Sequence, residues 1–313
     1  MPTSKDVAVL AGVSHTTVSR AFRGDVKLKD ATYEKVMKAA KTLGYTPNLL
    51  AAGLKGRSSK TIGLIVSDIT NPFFMIVAQR IEKLLNQNGY RLIISFDEGE
   101  AEKQQKAVQL MLAARVEAVI FAPVYTKTIP DYISAENKII QLFGDVYKGK
   151  SSVRIDDDYG GFIACEYLMN HGHSNIMFLG GSDRKGGYDK ALGRGAEVLN
   201  IDGDETQAVD EMKNRIAKEK PTAILAVGDR NARYCVSALK ELGLSVPRDI
   251  SLMVYDDLSW TQMMDITAVS HPLEALSEAV TNLLNFLLSG DESVSKLIYK
   301  PFINERSSVR SIK

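Results

Sequence analysis

Asp6-Val-Ala-Val-Leu-Ala-Gly-Val-Ser-His-Thr-Thr-Val-Ser-Arg-Ala-Phe22 is the stretch whose reading decides how the chain begins. Val7, Leu10 and Ala11 fall on one face of a short first helix by the helical period. Gly12 can take the left-handed conformation that ends that helix, and Ser14 is a good N-cap for a second. Ala8 is small enough for the second helix to cross closely, with Val18 and Ala21 packing back onto the first. The pattern predicts a helix-turn-helix, a motif whose second helix enters the major groove of DNA. The polar run Ser14, His15, Thr16, Thr17, Ser19 and Arg20 then faces the groove. Any surface helical hairpin shows the same spacing, so the rest of the chain must decide.

Charge supports the DNA reading. Residues 1–60 carry eleven Lys or Arg against four Asp or Glu, a net of +7. The remainder carries 28 cations against 34 anions, a net of −6. A basic head on an acidic body suits contact with phosphates by the head alone. At 313 residues the chain predicts two to three folded units, and 45% hydrophobic with 25% charged residues describes a globular protein with sizeable cores. No apolar signal core opens the sequence and no run is long enough to span a membrane, so a cytoplasmic protein is expected. Two distant cysteines, Cys165 and Cys235, indicate no disulfide framework. The four histidines, His15, His171, His173 and His271, show no metal-ligand spacing. No metal or cofactor is expected.

Outward from the opening stretch, Thr3 or Ser4 can cap the first helix, and Arg23-Gly-Asp25 reads as a turn. A third helix is expected from about Asp30 to Leu43, burying Val36, Met37, Ala40 and Leu43, with Gly44 closing it. Thr46-Pro47-Asn48 interrupts it, and Leu49 to Leu54 reads as a short helix within linker composition. From Thr61 apolar strands alternate with helices. Strands are expected at 62–66, 90–96, 118–121, 139–143 and 153–155, and again at 176–179, 197–201, 223–227, 251–255 and 296–303. Helices lie between them, among them one around 129–135 and a long one from Pro272 to Leu288. Such alternation implies parallel sheets covered on both faces, and two successive sets imply two lobes. Ligands in these folds bind beyond the carboxyl ends of the strands.

The motifs Asp6-Val-Ala…Ala-Gly-Val-Ser…Thr-Val-Ser-Arg20, Leu43-Gly-Tyr…Pro47-Asn48, Ile62-Gly-Leu…Asn71-Pro-Phe-Phe74, Pro221-Thr-Ala-Ile-Leu…Asp229 and Tyr255-Asp-Asp257 together resemble the Lac/Gal repressor family of bacterial transcription regulators over essentially the full length. The resemblance implies a small all-α headpiece at 1–45, a hinge at 46–60, and a two-lobed α/β core similar to periplasmic binding proteins. It places an N-terminal lobe at 61–155 plus about 268–290, and a C-terminal lobe at 156–267 plus about 291–313. It implies a homodimer on palindromic operator DNA, a repressor of a carbohydrate-related operon. His15, Thr16 and Arg20 are then base readers; Thr3, Ser14, Thr17, Ser19 and Asn48 lie nearer phosphates. Ala51 and Leu54 belong to the DNA-contacting hinge, Leu54 as the apolar wedge that kinks the duplex. Gly53 weakens that hinge helix, and Lys29 stands where the family has a hydroxyl cap, with Asp30 as a substitute.

The same resemblance maps an effector site onto Ser67, Asn71, Phe73, Asp145, Lys190, Asp229 and Asp256. Carboxylates there can bond sugar hydroxyls and Phe73 can stack on a ring, although Asp229 and Asp256 can equally cap helices. The family's Arg-x-x-Gly helix, whose arginine clamps the effector, reads here as Lys190-Ala-Leu-Gly193, with a helix's worth of chain absent after it. Either Lys190 takes the clamp position or the 180–187 segment rebuilds the wall. Arg184, Lys185, Lys190 and Arg194 near that wall suggest a phosphorylated or acidic sugar. Lost or altered sensing is the alternative. An enzyme is disfavoured, because Asp156-Asp157-Asp158 open a helix and no nucleophile–base pair is present. A solute-binding protein is disfavoured by the basic headpiece.

Overall fold

The computed structural model describes residues 2–22, 28–45, 58–124, 133–134, 136–201 and 204–312. The expected hinge helix, with Asn48, Ala51, Gly53 and Leu54, and all but two residues of the helix expected at 129–135 lie outside these. The chain divides into two compact units, Met1–Ser59 and Lys60–Lys313.

The first unit contains α1 (Ser4–Ala11), α2 (His15–Ala21) and α3 (Asp30–Leu43). Thr3 rather than Ser4 caps α1, in a capping box with Asp6: the Thr3 amide donates to Asp6 Oδ2 at 2.7 Å. Gly12, at φ +63°, ends the helix and donates to the carbonyls of Ala8 and Val9. Ser14 caps α2, its Oγ accepting from the Thr17 amide at 3.1 Å. Val7, Ala8, Val18, Ala21, Val36, Ala39 and Ala40 form the core, with the Phe22 and Tyr45 rings edge to face at 5.6 Å beside it. Leu10 departs from expectation, at 52% exposed. The buried stripe of α1 runs through Val7, Ala8 and Ala11, and Leu10 lies about 100° around the helix from its centre. The start of α3 also differs, since neither Lys29 nor Asp30 supplies a side-chain cap; Lys29 is the capping position and makes no such bond.

In the second unit one sheet runs β11-β5-β4-β3-β1-β2, built from β1 (Thr61–Val66), β2 (Arg91–Phe96), β3 (Ala118–Phe121), β4 (Ile139–Leu142), β5 (Ser151–Ile155) and β11 (Lys296–Tyr299). The other runs β12-β10-β9-β8-β6-β7, from β6 (Ile176–Leu179), β7 (Val198–Leu199), β8 (Ala223–Val227), β9 (Ser251–Tyr255), β10 (Thr267–Ser270) and β12 (Phe302–Asn304). All neighbours are parallel except β10 and β12. The inner strands β3, β4, β8 and β9 are buried along their whole length, which is why they read as largely apolar runs, broken only by Gln141 in β4 and Ser251 at the start of β9. Helices α4 (Pro72–Gln87), α5 (Ala101–Ala113) and α11 (Leu273–Ser289) belong to the first lobe. The second lobe has α6 (Asp157–Asn170), α7 (Lys185–Leu192), α8 (Glu205–Glu219), α9 (Asp229–Glu241) and α10 (Ser259–Met263).

The division between lobes differs from the expected one at the C-terminal end. The single strand expected at 296–303 is two strands in different sheets, so 291–299 stays with the first lobe. Pro301, lacking an amide hydrogen, interrupts the ladder between them. Residues 267–270 pair in the second sheet as β10, so only α11 and the chain after it return to the first lobe. The chain therefore passes between lobes at Asp156, at His271-Pro272 and at Lys300-Pro301.

Helices α6 and α7 meet almost backbone to backbone. A Cβ at Gly187 falls 2.0 Å from the Asp158 carbonyl oxygen, and one at Gly161 falls 2.6 Å from that of Arg184. Gly187→Ala is expected to force the helices apart and to destabilise the chain by about 1–3 kcal/mol. Urea unfolding measures this; an unchanged midpoint means the contact is not tight.

Candidate functional site

The carboxyl ends of both sheets face the crossovers, and there the side chains form a continuous series. Phe143 packs on Phe73 at 5.1 Å between ring centroids, Phe73 on His271 at 5.4 Å, His271 on Tyr255 at 5.3 Å, and the Arg184 guanidinium lies 4.2 Å from the Tyr255 ring centre. Each position follows from local structure. Asn71 caps α4 through the Phe73 amide at 3.0 Å, which sets Phe73 in the first turn. Tyr255 is the last residue of β9, and its hydroxyl would lie 1.8 Å from a Cβ at Gly160. A three-residue 3-10 turn, Ser182–Arg184, ends on Arg184 where α7 begins.

Arg184 is charge-balanced within the protein. One terminal nitrogen lies 2.8 Å from Asp157 Oδ1 and the other 2.6 Å from Asp183 Oδ1. Burial opposes its charge, but Asp157 and Asp183 outweigh burial and keep the guanidinium firmly protonated. Burial pushes the Asp157 carboxyl above its ordinary range against the pull of Arg184. Burial also raises Tyr188 and Tyr255 far above the usual phenol range, so both hydroxyls stay neutral and can donate as well as accept. Asp256 Oδ1 lies 2.9 Å from His271 Nε2. Four buried polar atoms in this cluster have no hydrogen-bond partner among the described residues: Arg184 Nε, Tyr188 OH, Tyr255 OH and His271 Nδ1. Buried polar atoms are nearly always satisfied, so four together mark a place built to meet something. Backbone strain flanks it: Phe143 at φ +62° and Asp256 at φ +82° sit in the region that suits glycine.

The expected effector residues do not all gather here. Phe73 lines the cluster, Asp256 reaches it through His271, Asn71 acts as a cap, and Ser67 lies half-buried just after β1. Asp145 pairs instead with Lys296 and receives a 3.4 Å contact from Gln141. Both Asp229 oxygens are occupied, by Trp260 Nε1 and Arg233 Nε at 2.8 Å each. Lys190 is exposed, its ammonium over the Phe162 ring at 5.1 Å. The Arg-x-x-Gly spacing also occurs six residues earlier, as Arg184-Lys-Gly-Gly187, where the eight-residue α7 begins. Tyr188 immediately after Gly187 was the signal that could have placed the motif. Asp157, Tyr188, Tyr255 and His271 were not foreseen. The four expected cations are also dispersed, because Lys185 pairs with Asp189 at 2.6 Å and Arg194 is exposed.

In the first unit, Ser14 Oγ lies 3.0 Å from Thr16 Oγ1 and 2.9 Å from Thr17 Oγ1, and His15 Nε2 lies 2.8 Å from Ser4 Oγ. Thr3, Ser14, His15 and Thr16 are exposed; Thr17, Ser19 and Arg20 are half-buried on α2.

A helix-turn-helix unit followed by two parallel-sheet lobes around a polar cleft defines a class of ligand-responsive transcription regulator. Residues 3–48 match the model of bacterial regulatory proteins of the lacI family, and residues 165–309 match the periplasmic binding protein-like domain. The HTH-type transcriptional repressor PurR of Vibrio atlanticus (strain LGP32) is 30% identical, covering all of both chains. The ribose operon repressor of Haemophilus influenzae (strain ATCC 51907 / DSM 11121 / KW20 / Rd) is 29% identical, also over both full lengths. The Lac repressor dimer bound to operator and an anti-inducer matches in structure with a TM-score of 0.81 at 25% identity, covering 99% of each chain. The chain belongs to the lacI family of DNA-binding transcriptional repressors.

Arg184→Met is expected to leave Asp157 buried without its counter-charge and to cost about 3 kcal/mol, the lower end for a broken buried pair because Asp157 is partly exposed. With Arg184 gone the folded-state carboxyl pKa rises further, so the loss is small below the unfolded value of 3.8 and grows as pH rises through the folded value. Urea titrations at acid and neutral pH check this; an equal loss at both removes Asp157 as the cause.

Proposed function

We propose that the chain represses a carbohydrate-related operon, acting in the cytoplasm as a homodimer on a palindromic operator. The effector is a neutral, polyhydroxylated small molecule held between the lobes at the Arg184 cluster. The observation that carries this reading is the group of four unpartnered polar atoms around a guanidinium whose charge is already compensated. A phosphate or carboxylate would have to displace Asp157 or sit beside it, with Asp256 close by; like charges at that range cost more than they return. Hydroxyls, in contrast, donate and accept, and so complement the tyrosine hydroxyls, His271 Nδ1, Arg184 Nε and the Asp157 carboxylate together. Phe73 and Tyr255 supply apolar faces for a sugar ring. This replaces the phosphorylated or acidic sugar that the count of local cations suggested. The relative that represses a ribose operon favours the same class.

In the first unit the polar face of α2 is the operator-reading face, with His15, Thr16 and Arg20 at base edges. Thr3, Ser14, Thr17 and Ser19 lie nearer phosphates; Asn48, Ala51 and Leu54 extend the contact through the hinge. Arg20→Ala is expected to weaken operator binding by about 1–3 kcal/mol and relax one base position; unchanged preference removes it from readout.

The test of the whole reading is selection of bound sequences from random duplex DNA, with calorimetry against neutral sugars, sugar phosphates and sugar acids. A palindrome whose recovery changes with a neutral sugar is expected. Such a ligand at a hundred times its Kd should also stabilise the chain by about 2.7 kcal/mol. Tight binding of a phosphate or acid form alone defeats the neutral-effector reading, and a palindrome indifferent to every compound defeats sensing at this cleft.

A further inference from the structure

Ser4 and His15 are the first residues of α1 and α2, and Ser4 Oγ lies 2.8 Å from His15 Nε2. Ser4 has no capping duty, because Thr3 and Asp6 close the capping box ahead of it. His15 is exposed on the polar face of α2, and Ser4 is its only hydrogen-bond partner among the described residues. The hydroxyls beside it are tied to one another, Ser14 to Thr16 and Thr17, and so do not compete for the ring.

We propose that Ser4 is a positioning residue for base readout. It holds the His15 imidazole by Nε2, so that Nδ1 is the atom presented to a base edge at one base pair of each half-site. The proposal rests on the assignment of His15 to readout and adds the atom that reads and the residue that aims it. An exposed imidazole on a helix turns freely about two torsions, and freezing it on DNA costs binding energy. A contact from the neighbouring helix, made before DNA arrives, lowers that cost and favours one orientation of the ring. A serine hydroxyl can donate to Nε2 or accept from it, and Nδ1 takes the opposite part. When Ser4 donates, Nδ1–H meets an acceptor such as guanine N7 or O6. When Ser4 accepts, Nδ1 meets an amino group of adenine or cytosine.

The test is sequence selection with the full chain, comparing wild type with Ser4→Ala, Ser4→Thr, His15→Asn and His15→Gln. Asparagine places its amide near the Nδ1 position and glutamine near Nε2. Ser4→Ala is expected to reduce the preference at one base pair of each half-site by roughly three- to tenfold, the worth of one aligned hydrogen bond. Affinity for random duplex and the thermal midpoint should stay unchanged, and Ser4→Thr should restore the preference. His15→Asn should keep more of that preference than His15→Gln. Wild-type preference in Ser4→Ala, a loss spread evenly over the half-site, or better retention by glutamine overturns the proposal. A wild-type chain that enriches no palindrome overturns the operator reading itself, and is seen before any variant is compared.

Discussion

A guanidinium out of water needs a counter-charge, and the cleft of this protein is arranged around that requirement. Arg184 lies on the Tyr255 ring and reaches Asp157, in the first turn of the helix that follows the crossover from β5. The pair fixes α7 to α6 electrostatically where the glycines let their backbones touch. It also puts a positive charge beneath the cleft without leaving that charge for an anion to claim. Tyr188, Tyr255 and His271 surround it, and their spare polar atoms have no hydrogen-bond partner among the described residues. Taken alone, a buried ion pair is weak evidence of stability, because desolvation offsets most of the attraction. Its weight here is in the proposed choice of a neutral over an anionic ligand.

How legible this was depends on range. The helix-turn-helix was readable almost residue by residue, because Thr3, Gly12 and Ser14 act through contacts two to four residues away. The inner strands were readable because burial on both faces leaves few polar positions in them, Gln141 and Ser251 being the buried exceptions. The boundary at Lys300-Pro301 was not, since β11 and β12 run on as one segment of alternating exposure and only their pairing partners assign them to different sheets. The cleft was legible in part. Phe73 and Asp256 carry local signals, an Asn-Pro-Phe-Phe helix start and a strand-ending Asp-Asp. Asp157, Tyr188 and His271 acquire meaning only from residues far away in sequence. Of the two walls the sequence left open, Lys190 lies exposed and the 180–187 segment carries Arg184 into the cluster, a choice that depends on the distant partners Asp157 and Tyr255.

Strain and coupling belong together at this site. Phe143 and Asp256 hold backbone conformations that cost their residue types free energy, and they flank the ring series from opposite lobes. Such conformations persist where surrounding packing over-determines them. Any ligand shifts a conformational equilibrium only by its differential affinity for the two states. On the effector reading proposed above, the four polar atoms whose desolvation is unrewarded without a ligand would supply such a difference.

The short wall fixes one side of the site within its own lobe. Gly180 and Gly181, at φ +72° and +76°, turn the chain from β6 straight into the 3-10 turn bearing Arg184. A Cβ at Gly181 would lie 2.9 Å from the Tyr188 hydroxyl and 2.8 Å from Val227. Asp157, Asp183 and the Tyr255 ring, all of the second lobe, hold Arg184, and the Phe178 and Tyr188 rings stack 4.6 Å apart in the same lobe. The other half of the cleft is built differently. Phe73 and Phe143 are joined to the Arg184 side through His271, a residue of the crossover itself. The two halves of the site are thus tied differently, the Arg184 side by its pairing with Asp157 within the second lobe and the Phe73 side through the ring of His271 at a crossover.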